Sequence, residues 1–225
     1  MKLKKLFIFC IIFLLLTILF QNIGGKKEEI TEVVLITGFE PFNGYEINPS
    51  ELIAEELNGT NIKNATIIGI VLPVDYNMAK EAIMNAIEKY NPSIIISLGL
   101  AYYRRMICIE KVAINFRSIY INNKWTGIEK INVTAPLFII SSLPTFKITE
   151  EIREEGIPAR QSFFAGTYLC NYIFFITLHY IRENNLSIKA GFIHVPPLDE
   201  QAKHGMKLDE MVEAVRTAVD VSMER

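Results

Sequence analysis

Apolar and polar positions follow two different periods along this chain. Short continuous apolar runs are typical of strands that are covered on both faces. Between them lie longer segments in which apolar residues recur every three or four positions, which is typical of helices with one buried side. In the segment 76–90, for example, Ala79, Ile83, Ala86 and Ile87 fall on one side of a helix. This alternation predicts an α/β fold.

The pattern assigns most of the chain to elements. The predicted strands are 33–37, 65–72, 92–98, 107–115, 159–162 and 190–195. The predicted helices are 49–57, 76–90, 147–155, 167–183 and 208–223. We therefore expect a three-layer α/β/α sandwich with a largely parallel, twisted central sheet. No internal repeat interrupts the pattern, so residues 26–225 are predicted to form one domain.

The first 25 residues have a pattern of their own. Lys2, Lys4 and Lys5 precede an apolar run from 6 to 20 that only Thr17 interrupts. A basic region before such a run is typical of a signal peptide or an N-terminal membrane anchor. Because basic residues stay on the cytoplasmic side, we expect segment 1–25 to place the domain outside the cytoplasm. If uncleaved, it would contact the membrane through residues 6–23; a cytoplasmic protein is the alternative.

Composition argues against several classes of partner. The 23 basic and 25 acidic residues give a net charge of −2. The sequence has no basic patch interleaved with aromatic residues, which is the pattern that would indicate nucleic-acid binding. The three cysteines form no C-x-x-C pair, so neither a zinc site nor a disulfide scaffold is expected. The glycines form no phosphate-binding loop. We therefore expect no metal and no cofactor.

The stretch 163–171 carries the strongest chemical signal. Cys170 follows an Ala165-Gly166 turn and precedes an apolar run, which places it in the first turn of a predicted helix. Helix N-termini favour a thiolate and offer N–H groups to an oxyanion. A nucleophilic cysteine also needs a base and a group that orients the base. His194, near a predicted strand end, and Glu110, in an apolar segment, are the candidates.

Each of these residues also has an ordinary structural interpretation. Isolated cysteines and histidines in apolar segments are usually core residues. Glu110 is costly to bury unpaired, so it is either functional or paired with Lys111 or an arginine nearby. We expect structural or surface roles for His179 and His204. Arg104 and Arg105 are expected to be a solvated or interface pair.

Four segments together resemble the pyroglutamyl peptidase I family, also called pyrrolidone-carboxylate peptidases. They occur in the family's order and spacing, and the resemblance covers the chain from about Val33 to its C-terminus. The segments are Thr37-Gly-Phe-Glu-Pro-Phe-Asn-Gly44 followed by Asn48-Pro49, Glu110-Lys-Val-Ala-Ile-Asn115, Ala165-Gly-Thr-Tyr-Leu-Cys-Asn171 and Gly191-Phe-Ile-His-Val-Pro196.

The resemblance implies a cysteine peptidase that removes an N-terminal pyroglutamyl residue from peptides. It implies a triad in which Cys170 is the nucleophile, His194 the general base and acid, and Glu110 the residue that orients the imidazole. It further implies an α/β/α sandwich that often assembles as a tetramer. The positions that resemble the family's pyrrolidone pocket are Phe39, Phe42, Ile121 and Tyr168.

The chain departs from the family pattern at a few positions. The family usually reads Arg-Ile-Pro-Asp-Asn where this chain reads Tyr120-Ile-Asn-Asn-Lys124. The arginine expected near the oxyanion is therefore missing there, and Arg104 and Arg117 are candidates for its role. Two other functions follow as alternatives: an inactive membrane-tethered binding protein of the same fold, and a hydrolase of another small lactam or amide.

Overall fold

The structure, a computed structural model, describes residues 32–121 and 124–224. The predicted N-terminal signal or anchor, segment 1–25, lies outside the described residues. The strands are β1 (Glu32–Phe39), β2 (Asn61–Ile62), β3 (Ala65–Leu72), β4 (Ile94–Leu100), β5 (Ile107–Glu110), β6 (Val112–Ile114), β7 (Phe116–Ile121), β8 (Lys124–Lys130), β9 (Phe138–Ile140), β10 (Ala159–Ser162) and β11 (Lys189–Val195). The helices are α1 (Pro49–Leu57), α2 (Tyr76–Tyr90), α3 (Thr145–Glu154), α4 (Leu169–Glu183) and α5 (Leu208–Met223).

A seven-stranded sheet forms the middle layer, with the order β10-β5-β11-β4-β1-β3-β2. Strands β11, β4, β1 and β3 run parallel to one another. Strand β5 runs antiparallel to β11, and β10 is parallel to β5. At the other edge, β2 runs antiparallel to β3. The sheet is therefore parallel through its centre and mixed at both ends, which confirms the predicted α/β class.

Helices cover both faces of this sheet. On one face, α1, α3 and α5 bury residues such as Ile53, Ile148 and Val215 against the strands. On the other face, α2 and α4 bury residues such as Ile83 and Phe175. Each fully buried side chain of this size contributes about 1.5–3 kcal/mol relative to exposure. Burial on both faces explains why the central strands are continuous apolar runs.

The predicted strand 107–115 is two strands. At Lys111 the backbone N–H donates to the carbonyl of Ser162, while the carbonyl accepts from the N–H of Ser141. The chain thereby leaves the central sheet after β5, and β6 pairs with β9 instead. A change of hydrogen-bonding partner leaves no mark on the apolar pattern, so the sequence did not indicate this break.

Two ribbons lie outside the central sheet: β6–β9 and the hairpin β7–β8. The sequence analysis assigned no elements to 116–130 or 138–140. Most side chains of β8 are exposed, so this strand lacks the apolar periodicity on which such assignments depend. The hairpin contacts the start of α4 and, as described below, forms a wall of the candidate site.

Candidate active site

Helix α4 begins one residue before Cys170. Gly166 occupies the left-handed region with φ of 82°, which favours glycine because it has no Cβ, and the resulting turn directs the chain into the helix. Asn48 and Asp75 cap the N-termini of α1 and α2 with side-chain oxygens, whereas Tyr168 at the start of α4 makes no side-chain cap. First-turn N–H groups of α4 therefore stay available to a ligand.

The central sheet brings the candidate residues to one face. His194 on β11 is in register with Gly99 on β4 and with Cys108 on β5. Side chains of cross-strand partners share a face, and Glu110 lies two residues from Cys108, so it shares that face too. Cys170 sits directly above Gly99, which has no side chain to occupy the space.

His194 and Glu110 are hydrogen-bonded inside the protein. Nδ1 of His194 lies 2.8 Å from Oε1 of Glu110, and a carboxylate can only accept, so Nδ1–H is the donor. Both side chains are buried. Burial alone would lower the pKa of His194, but hydrogen bonds and charges from Cys170 and Glu110 outweigh it and raise that pKa to about 9. The imidazole thus faces Cys170 on one side and Glu110 on the other.

Arg104, expected either in a solvated pair or in place of the missing arginine, lies beside Glu110. Its Nη2 lies 3.3 Å from Oε1 of Glu110 and 3.2 Å from the carbonyl oxygen of Phe164, and Nη1 donates to Oγ of Ser162 at 3.2 Å. Its side chain is only 22% exposed. The neighbouring Arg105 is exposed, so the predicted solvated pair is one solvated residue and one residue of the site.

A cavity of about 680 Å³ adjoins the start of α4. Phe42 and Tyr168, two of the predicted pocket residues, line it, together with Tyr76, Ser118 and Tyr120. Phe39, predicted for the same pocket, instead lies in the core beneath α2 and α4. Nothing is described of the side chain of Ile121, so its predicted pocket role stays a prediction.

Hydrogen bonds tie the hairpin β7–β8 to the segment that leads into α4. The N–H of Ser118 donates to the carbonyl of Thr167 at 2.6 Å, and the two hydroxyl groups lie 2.8 Å apart. The hydroxyl of Tyr76 donates to the carbonyl of Ser118. The cavity wall and the cysteine segment are therefore one connected unit.

Asn171 connects the same unit from the other side of Cys170. Its Oδ1 accepts from the N–H of Ile114, and its Nδ2 donates to the carbonyls of Ile114 and Phe116. The side chain is fully buried. The sequence indicated Asn171 only as part of a motif, because its hydrogen bonds reach Ile114 and Phe116, which are far away in the chain.

Arg117 lies at the cavity wall. Its guanidinium pairs with Glu129 at 2.8 Å and lies 5.0 Å from the ring centre of Tyr76 and 5.6 Å from that of Tyr172. Tyr120, which stands where the family usually has arginine, packs edge-on against Tyr168 at 5.4 Å. The two arginines considered as replacements thus occupy different places, Arg104 beside Glu110 and Arg117 beside the cavity.

The other histidines have contacts of their own. His179 is hydrogen-bonded to Asn132 and stacks on Phe175, and Nε2 of His204 donates to the carbonyl of Tyr102. In the part of the chain that the structure describes, no group of three His, Cys, Asp or Glu side chains could hold a metal ion. The chemistry available here is that of a thiol, an imidazole and a carboxylate: nucleophilic acyl transfer.

Comparisons with known proteins agree with this chemistry. The profile of a family described as pyroglutamyl peptidase matches residues 32–225. A pyrrolidone-carboxylate peptidase of Thermococcus litoralis is 41% identical over 204 residues, covering 85% of this chain and 93% of the relative. One from Pyrococcus furiosus is 40% identical over 203 residues, covering 85% and 98%. The solved structure of the Thermococcus litoralis pyrrolidone carboxyl peptidase superposes with a TM-score of 0.82 at 39% identity, covering 86% of this chain and 94% of that one.

The comparisons contradict the expected localisation. The Pyrococcus furiosus relative is matched over 98% of its length by 85% of this chain, so it has no counterpart to an N-terminal run of this size. Among the described residues, no helix is long and apolar enough to cross a bilayer. It is the comparison with the relatives that makes the prediction of a membrane-anchored or exported, extracytoplasmic domain wrong.

Proposed function

The chain belongs to the pyroglutamyl peptidase family and is a cysteine peptidase, and we propose that it removes the N-terminal pyroglutamyl residue of peptides through Cys170, His194 and Glu110. One observation carries this assignment. Cys170, His194 and Glu110 come from α4, β11 and β5, yet they meet on one face of the sheet with His194 between the other two. Core residues would not need this order of thiol, imidazole and carboxylate.

His194 first takes the proton of the Cys170 thiol, which gives a thiolate and an imidazolium. The Cys170 sulfur then attacks the carbonyl that joins pyroglutamate to the next residue. The sulfur forms a bond to the carbonyl carbon, and the oxygen becomes an anion that the N–H groups at the start of α4 stabilise. The His194 imidazolium then donates its proton to the leaving amine. The carbon–nitrogen bond breaks, and the shortened peptide leaves a pyroglutamyl thioester on Cys170.

The second step is hydrolysis of the thioester. His194, now neutral, accepts a proton from water, and the resulting hydroxide attacks the thioester carbonyl. Pyroglutamate leaves, and the thiolate–imidazolium pair forms again. Throughout, Glu110 holds Nδ1 of His194, so that Nε2 faces the reacting atoms in both steps.

The cavity suits a flat, uncharged lactam. Phe42, Tyr168 and Tyr120 give it aromatic walls, and aromatic faces bury a planar ring without demanding a charge. A pyroglutamyl group has no free amine for a carboxylate to bind. The two carboxylates at the cavity have other partners: Asp75 caps α2 and Glu129 pairs with Arg117. Phe42 and Tyr168 are the residues that we propose for contact with the ring, and Ile121 stays a prediction; Phe39, which lies in the core, is not proposed.

Self-association is also part of the proposal. On β9 the side chain of Ile139 points into the protein, whereas Phe138 and Ile140 are 57% and 53% exposed. Exposed apolar pairs on a strand are typical of surfaces that meet another chain, and a second copy of this chain is the occupant that the family resemblance favours. Light scattering of Phe138→Asp beside the unmodified protein tests this: an unchanged mass would exclude the β9 surface.

The experiment that tests the function is hydrolysis of a fluorogenic pyroglutamyl amide by residues 26–225, beside Cys170→Ala. Turnover that Cys170→Ala abolishes would support the activity and the nucleophile together. Prolyl and alanyl amides are the matched substrates, because they test whether the lactam itself is recognised. Turnover of all three, or none from a folded and reduced protein, would contradict the assignment.

A further inference from the structure

The contacts of Arg104 with Glu110 support an inference about a residue outside the triad. Oxygen Oε1 of Glu110 accepts from Nδ1 of His194 at 2.8 Å and also from Nη2 of Arg104 at 3.3 Å. The second oxygen, Oε2, is buried and has no hydrogen-bond partner among the described residues. The orientation of this carboxylate therefore depends on the two donors that share Oε1.

The guanidinium also spans three segments of the site. Besides Glu110 on β5, it contacts Oγ of Ser162 at the end of β10 and the carbonyl of Phe164 in the segment that leads to Cys170. A planar guanidinium holds several oxygens in a fixed geometry, which an ammonium cannot do. Arg104 thus joins the strand that carries the orienting acid to the segment that delivers the nucleophile.

The charges in this cluster can be counted. With Arg104 present, the ionised Glu110 is balanced, so a thiolate at Cys170 and an imidazolium at His194 leave the four groups neutral overall. Without that cation, the same ion pair would leave one uncompensated negative charge in a buried setting, which is costly. Cys170 and His194 would then each keep a proton up to a higher pH.

From these contacts we propose that Arg104 is a positioning residue: it holds the Glu110 carboxylate aligned with His194, and its charge sets the pH range over which the Cys170–His194 ion pair exists. The proposal rests on the assignment of Cys170 as nucleophile. Other charged or titratable groups face this cluster from neighbouring elements: Arg160 beside Cys108 and Glu110, the Cys108 thiol, and Tyr168 beside Cys170. The substitutions below leave all of them unchanged.

The charge count predicts the direction of the effect. Arg104→Gln should move the acid limb of Cys170 alkylation and the alkaline limb of peptidase activity to higher pH, each by about one pH unit, as expected when one nearby charge is lost. A residue that only supported the fold would lower the rates without moving both limbs in one direction. Arg104→Lys keeps the charge, so its limbs should stay in place while its alkylation plateau falls at least about twofold, because the fork geometry is lost.

The test is the rate of iodoacetamide alkylation of Cys170 against pH, with the modified peptide quantified by mass spectrometry. This rate needs no substrate, so it tests Arg104 even if the pyroglutamyl activity were refuted. Arg105→Gln is the matched control: it removes an adjacent, exposed arginine and should leave the profile unchanged. A profile of Arg104→Gln that coincides with that of the unmodified protein would overturn the proposal.

If Arg104→Gln does not fold, Arg104→Lys decides: an unchanged limb with a lowered plateau supports the proposal, and an unchanged plateau overturns it.

Discussion

Gly99 lies so close beneath Cys170 that its missing side chain defines the position of the sulfur. A Cβ added to Gly99 would lie 2.8 Å from Sγ of Cys170 and 2.9 Å from Cζ of Phe192. Gly99 is also the register partner of His194. The sheet therefore provides a gap for the thiol directly beside the strand that carries the base.

Gly99→Ala should displace the sulfur without unfolding the protein. A Cβ contact of this kind forces a shift, and a misplacement of about 1 Å can lower a rate by about 100-fold. We expect a loss of about that size in kcat/KM on a pyroglutamyl amide, with overpacking costing about 1–3 kcal/mol of stability. Thermal unfolding measured beside the kinetics separates the two effects. An unchanged kcat/KM would mean that the sulfur does not need this gap.

The activity should fall at high pH as His194 loses its proton. Neighbouring charges raise the pKa of His194 to about 9, and only the imidazolium can protonate the leaving amine. We expect kcat/KM to decline as the pH rises through about 9. Glu110→Gln removes a negative charge that raises this pKa, so its alkaline limb should move to lower pH. Profiles of both proteins on one substrate provide the measurement; coincident limbs would exclude a charge role for Glu110.

The raised pKa of His194 also makes the stability of the folded protein depend on pH. The pKa of His194 is raised from 6.5 to about 9 in the folded protein. Its contribution is therefore fully present below about pH 6.5 and is lost as the pH rises towards 9. Melting temperatures measured across this window should decline less steeply for His194→Asn than for the unmodified protein. Parallel declines would contradict the linkage.

Asn171→Leu should lower the free energy of unfolding, because Asn171 is a buried structural contact. The substitution removes three hydrogen bonds that hold Ile114 and Phe116 and leaves buried backbone groups without partners, at a cost of about 2–4 kcal/mol. Asn184→Leu, at the exposed end of the same helix, is the control and should cost less than about 1 kcal/mol. Urea unfolding measures both; equal losses would mean that Asn171 is not a special contact.

Phe42→Ala should weaken binding of the lactam. Phe42 lines the cavity, and its contact would be the same in the bound substrate and in the transition state, so KM should rise about tenfold while kcat changes little. Phe146→Ala removes an exposed ring from α3, in the opposite helical layer, and should have no effect. Steady-state kinetics with the pyroglutamyl amide provide the test. A lowered kcat at constant KM would remove Phe42 from the binding wall.

The sequence by itself determined the α/β class, most helix bounds and the identity of the three candidate residues. Helix 76–90 and strand 65–72, for instance, match α2 and β3 as they stand. Local periodicity suffices for such elements, because each reflects which of its faces is buried. Cys170, His194 and Glu110 were found because each sits in a distinctive short motif.

Only the tertiary structure decided how these elements meet. The break at Lys111 depends on Ser141 and Ser162, about 30 and 50 residues away in the chain. The reversed direction of β5 depends on β11, about 80 residues away, and Arg104 contacts Ser162 and Phe164, about 60 residues away. No local pattern records such partners. Arg104 illustrates the reason: beside Arg105 it has the same local sequence environment, yet one is exposed and the other is held by Glu110, Ser162 and Phe164. Hydrophobic pattern specifies what is buried, whereas the pairing of charges inside the protein is fixed by the folded geometry.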